Sequence, residues 1–176
     1  MPRRRILAIV GSVAVALTLT LVTVAFAFPP QNFVTPMSGN EENPARDTLA
    51  RGSAIFQVRG DTVEYRLIAS NIENVIMAHI HVGAAGTNGP IVVWLFPDTA
   101  PPAADPGGGR HDGVLATGSF TAANLTGPLA GHPLSDLIDL LQNGGAYVNV
   151  HTNDGVDPPN TGPGDFPGGE IRGQID

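Results

Sequence analysis

The chain has 176 residues, with nine arginines, no lysine, sixteen acidic residues and no cysteine, for a formal net charge of −7 at pH 7. That balance argues against nucleic acid and anionic membrane surfaces as electrostatic partners. The lack of cysteine removes disulfide stapling and thiolate chemistry from consideration.

The first 27 residues read as a targeting segment. Arg3, Arg4 and Arg5 form a positive start, an apolar run extends from Ile6 to Phe28, and Ala25-Phe26-Ala27 matches the small-x-small pattern cut by signal peptidase. The run exceeds the usual h-region of about 7–15 residues, so an uncleaved N-terminal membrane anchor is the alternative. Either way the arginines stay inside and residues 28–176 are expected outside the cytoplasm. Over those residues six arginines stand against sixteen acidic groups, a formal −10. Their length suits one domain.

Glycine (22) and proline (16) fall between short β-branched runs, which points to an all-β sandwich or barrel. In chain order, 32–38 reads as an edge strand because Pro36 cannot donate to a ladder. Segments 50–58 and 62–70 flank a tight turn at Gly60-Asp61. In the second, Val63, Tyr65, Leu67 and Ala69 alternate with Glu64, Arg66 and Ile68. Strands are expected at 74–82, at 90–96 (apolar on both faces, hence central), and at 113–120, 146–152 and 170–175. In 134–143, Leu134, Leu137, Ile138 and Leu141 recur at helical spacing, with Pro133 and Asp136 at the start and Gly144 as the stop. Segments 97–113 and 153–169 read as long loops. The expected architecture is a Greek-key β-sandwich of about eight strands with one short helix.

Residues two apart on a strand share a face. Three strands then each carry an apolar set and a polar set: His79 and His81 with Met77; Asn149 and His151 with Tyr147; Glu170 and Arg172 with Gln174. Were these strands neighbours in one sheet, His79, His81 and His151 could converge on one copper or zinc ion. Glu170 would add an oxygen ligand, with Asn149 and Arg172 in support. The same residues could equally form a metal-free hydrogen-bonded lattice. His111 and His132 read as ordinary exposed loop residues. In 153–169, Asn153, Asp154, Asp157, Asn160 and Asp165 offer hard oxygen ligands suited to Ca²⁺, without EF-hand spacing; a solvated loop is the alternative.

The motifs "AHIHVGAAGTNGPIVVWL", "YVNVHT" and "GEIRGQI", with the opening "FVTPMSGNEENPA", resemble the CHRD domain family, named for repeats in the animal protein chordin. The resemblance spans about residues 33–175. It implies an extracellular β-sandwich, superoxide-dismutase-like or immunoglobulin-like in topology. The dismutase likeness implies His79, His81 and His151 as metal ligands and Arg172 as an anion-steering arginine. The chain departs from that pattern in lacking its cysteine pair and a clear bridged-zinc ligand set. Two functions follow. One is an exported non-enzymatic binding or structural module whose partner is an extracellular protein or surface component. The other is an extracellular copper or zinc protein, with dismutase-like redox chemistry as its extension.

Overall fold

The computed structural model describes residues 28–97 and 108–176. The segment read as a signal peptide or anchor lies outside these residues, as does most of the expected 97–113 loop. Among the described residues no helix is long and apolar enough to cross a membrane.

Eight strands form: β1 (Phe28–Ser38), β2 (Arg51–Gly60), β3 (Thr62–Glu73), β4 (Val75–Val82), β5 (Ile91–Phe96), β6 (Arg110–Phe120), β7 (Ala146–Thr152) and β8 (Ile171–Ile175). All ladders are antiparallel, in the order β5-β4-β7-β8-β1-β2-β3-β6. The expected two-layer packing takes the form of one continuous sheet curled nearly into a barrel, with β5 and β6 brought side by side. Near that seam the Tyr65 hydroxyl of β3 donates to the Leu95 carbonyl of β5 at 2.8 Å.

Alternation decides which side chains fill the interior. On β3, Val63, Tyr65, Leu67 and Ala69 are buried while Glu64 and Arg66 are exposed. Phe56, Leu67, Ile80, Leu95, Ile171 and Ile175 are among the fully buried side chains of the core. Helix α1 (Leu134–Gln142) adds Leu134, Leu137, Ile138 and Leu141 to the same core. Gly144, at φ 62°, follows its C-terminus, where an L side chain would be strained.

Four expectations need correction. The 32–38 segment is not an edge: β1 lies between β8 and β2, with Pro36 opposite Ser53 of β2 and Ser38 opposite Arg172 of β8. Strand 90–96 is not central: β5 bonds only to β4 within the sheet, and its other edge receives the Thr126 N–H on the Val92 carbonyl at 2.9 Å. It is apolar throughout because Val92, Val93 and Leu95 are buried in the core while Trp94 packs on His79 of the histidine cluster described below. The 97–113 loop is shorter than expected, since Arg110–Gly113 already belong to β6 and carry His111 with them. The 153–169 segment has no regular structure, yet it is not a free solvated loop. Asp165 and Phe166 are buried, and Phe166 N–H donates to Thr152 Oγ1 at 2.9 Å.

Candidate metal centre

The sheet order places β4, β7 and β8 side by side, and the register sets the polar face. His79 pairs with Asn149, His81 with Tyr147 and Met77 with His151 across β4–β7; Asn149 pairs with Arg172 and Tyr147 with Gln174 across β7–β8. The opposite face of the same strands holds Ala78, Ile80, Val148, Val150 and Ile171 in the core. The polar face points out of the barrel but is not wet. His79, His81 and His151 are 1%, 8% and 6% exposed. Segments 39–48, 83–90 and 163–169 cover it, tied together by Asn43 to the Gly86 carbonyl (2.7 Å), Asn88 to the Asn43 carbonyl (2.7 Å) and Arg46 to the Gly169 carbonyl (3.2 Å).

One candidate ligand atom from each of the three imidazoles lies within 4.8 Å of the others. His79 Nδ1 stands 3.1 Å from His151 Nε2. Carbonyls accept, so their partners fix the protons. His81 Nδ1–H donates to the Gly89 carbonyl and His151 Nδ1–H to the Pro167 carbonyl, each at 2.8 Å. Both neutral rings therefore keep an unprotonated Nε2. The Asn149 Oδ1 atom lies 3.0 Å from His151 Nε2 and is itself an acceptor. Several lone pairs thus meet with one ring proton, that of His79, to share among them. Nε2 of His79 and Nε2 of His81 are buried without a hydrogen-bond partner. The facing His79 Nδ1 and His151 Nε2, with the His81 ring completing a group of three within 4.8 Å, suit a cation.

Packing holds the rings in place. Trp94, opposite His79 in the β4–β5 register, meets that ring edge-on with centroids 4.2 Å apart. Tyr147 stacks on His81 at 4.8 Å and 8°. The Arg172 guanidinium lies 3.3 Å from the Tyr147 ring centroid. Gly89 closes the clamp: its carbonyl takes the His81 proton and its N–H donates to the Tyr147 hydroxyl at 3.1 Å. Any Cβ at Gly89 would collide with the Val82 carbonyl, so glycine is required there for close approach.

Electrostatics keep the rings neutral. Burial, then His151 and His81, pushes His79 down to about 2. Burial lowers His81, with Arg172 adding to the effect while the Gly89 carbonyl and Asn149 oppose it. Burial takes His151 down to about 4, against the Pro167 carbonyl and with help from His81. Neutral imidazole is the ligating form.

Glu170 is the misplaced member of the expected set. Its Oε1 accepts from Thr48 Oγ1 (2.6 Å) and its Oε2 from Thr152 Oγ1 (2.7 Å) and the Gly164 N–H (2.9 Å). β8 begins only at Ile171, so alternation does not govern residue 170, and its carboxylate anchors the covering loop instead. Arg172 is 1% exposed, and its guanidinium bonds the Ala84 carbonyl and Asn88 Oδ1, both at 3.2 Å, which leaves it poorly placed to steer anions from solvent. In the 153–169 segment Asn153 and Asp154 accept their own downstream backbone N–H groups (Gly155 at 2.7 Å, Val156 at 2.8 Å), while Asp165 Oδ2 accepts from Thr161 N–H and Oγ1 at 2.9 Å. Asp157 and Asn160 are exposed. Among the described residues these acids form no group able to share an ion. His111 lies on β6, and the half-exposed His132 pairs with Asp136 at 2.7 Å; neither joins the cluster.

Two features escaped the sequence. Glu42 is 7% exposed, and burial raises its carboxyl to about 7 against the pull of Arg172, Arg46 and Asn149. It comes from the loop after β1, far along the chain, and no local pattern marks it. Trp94 had a faint signal, as the single tryptophan on a strand apolar on both faces.

The family model for the CHRD domain matches residues 33–175, nearly all of the described chain. No curated protein and no solved structure matches.

Proposed function

The chain belongs to the CHRD domain family, and from that premise we propose that it is an exported domain that binds copper or zinc through His79, His81 and His151. The carrying observation is the convergence of three buried neutral rings whose ligand atoms lie within 4.8 Å of one another. Ligand bonds of about 2.0–2.1 Å separate neighbouring ligand nitrogens by roughly 3–3.5 Å, and the His79–His151 spacing of 3.1 Å falls within that range. A bound copper would supply one-electron chemistry, and a bound zinc a fixed positive charge. The chain's own residues hold the rings, keep them deprotonated and exclude water.

This reading overtakes that of a scaffold with no metal, in which an extracellular protein or surface component would dock on loops. Three imidazoles gathered within 4.8 Å of one another, two of them with a ring nitrogen left unpartnered, favour a bound ion over a hydrogen-bonded lattice. Export is part of the proposal, supported by the N-terminal sequence and by the generally extracellular occurrence of CHRD domains. So is a Greek-key topology: counting the β5 and β6 edges as neighbours gives the order β7-β4-β5-β6, one such unit.

The test is elemental analysis of chain purified without chelator or histidine tag, paired with thermal melts. At one hundred times Kd, binding adds about 2.7 kcal/mol, which for a domain of this size raises Tm by about 5–10 °C. His79→Ala and His151→Ala should abolish the shift. No bound metal and no shift would restore the scaffold reading.

A further inference from the structure

We infer that this centre selects copper(I) over copper(II) and zinc(II), an inference that rests on the metal-binding reading above. The donor set is the first reason. Three neutral imidazoles face the centre, with the neutral amide oxygen of Asn149 beside them. The expected carboxylate, Glu170, is turned away and saturated by Thr48, Thr152 and Gly164. A dication here would keep its full charge of two, and a monocation would keep one.

Burial turns that difference into selectivity. The self-energy of an ion in a low-dielectric site grows with the square of its charge, so a divalent ion meets roughly four times the penalty of a monovalent one. The three rings are at most 8% exposed, so little water remains to offset it.

A fixed cation adds to the effect. Arg172, 1% exposed and permanently charged, packs its guanidinium 3.3 Å from the Tyr147 ring centroid, and Tyr147 stacks on His81 at 4.8 Å. Tyr147 therefore separates the guanidinium from the ligand cluster by one ring, and repulsion between fixed and bound charge doubles on going from copper(I) to a divalent ion. Glu42 faces Arg172 and Arg46 and offsets part of this, but burial holds it near half-protonation at neutral pH. Ligand softness does not supply the selection, because imidazole accepts copper and zinc alike and the usual divalent order favours copper(II) over zinc(II). Charge supplies it.

The experiment is an anaerobic titration at pH 7 of the full chain, freed of metal, with copper(I) against bathocuproine disulfonate. Parallel copper(II) and zinc(II) titrations use a chromophoric chelator. Imidazole in water is the reference, having the same donors without burial or arginine. We expect the copper(I)-to-copper(II) affinity ratio to exceed the reference by about a hundredfold or more, a rise in potential of about 120 mV at about 59 mV per tenfold. Arg172→Gln should cut that ratio by about tenfold. Glu42→Gln, which keeps the arginine and removes the compensating charge, should raise it and provides an independent arm if the arginine variant does not fold. Metal bound with a ratio no higher than the reference, or a ratio unmoved in both folded variants, would overturn the copper(I) inference and leave metal binding intact. No binding of any of the three ions would overturn the metal-binding reading itself.

Discussion

Replacing Glu170 by glutamine keeps the shape of the side chain and removes its charge at a site with 0% exposure. Its three partners, Thr48 Oγ1, Thr152 Oγ1 and the Gly164 N–H, all donate to it. Hydrogen bonds to a charged acceptor contribute about 1.5–3 kcal/mol each, against about 0.5–1.5 for neutral pairs. Neutralising the acceptor should weaken each of the three bonds by about 1 kcal/mol, and one amide N–H₂ would then face donors with nothing to accept it. Relief from burying a charge offsets part of that loss, leaving an expected destabilisation of about 2–4 kcal/mol. With a urea slope of about 1–3 kcal/mol per molar, the midpoint should fall by roughly 1–2 M at unchanged slope. Because this carboxylate points away from the imidazoles, copper or zinc affinity should stay within about twofold of the parent chain. A loss under about 1 kcal/mol, together with a large loss of metal affinity, would refute the placement and return Glu170 to the ligand set.

The metal-free chain should show opposed pH effects. The lowered folded value of His151 contributes stability present above the unfolded value of about 6.5 and lost on acidification, about 2 kcal/mol by pH 5, with His79 acting in the same sense. Glu42, raised to about 7, acts oppositely and gains about 2 kcal/mol over the same interval, so urea midpoints at pH 7 and pH 5 should differ more in Glu42→Gln than in the parent chain. Equal differences in the two proteins would contradict the placement of Glu42. Gly89→Ala must displace the Val82–Gly89 contact that holds His81, so it should lower metal affinity by about tenfold or more, whereas Gly86→Ala, in open space, should strain the turn yet leave affinity nearly unchanged. Trp94 is the single tryptophan and touches His79, so stoichiometric copper should quench most of the intrinsic fluorescence; retention of the signal at saturation would place the metal elsewhere.

The sequence by itself determined whatever depends on short-range period. Alternation fixed the inward and outward faces of β3, β4 and β7, and helical spacing fixed α1 with its four buried leucine and isoleucine residues. It therefore put His79 with His81, and Asn149 with His151, on the polar face of their own strands before any neighbour was known. The tertiary structure alone decided what that face became. Ladder partners are chosen by contacts between distant segments, so the sequence did not show that β4 lies against β7, or that β5 is an edge. Alternation also stops where a strand stops, which is why Glu170, one residue before β8, left the ligand set. The covering loops carry no periodic signal at all. Yet their carbonyls at Gly89 and Pro167 set the tautomers of His81 and His151, and their Glu42 supplies the buried carboxyl. A face is legible one strand at a time, but burial, proton positions and charge balance depend on which distant chain segments lie over it.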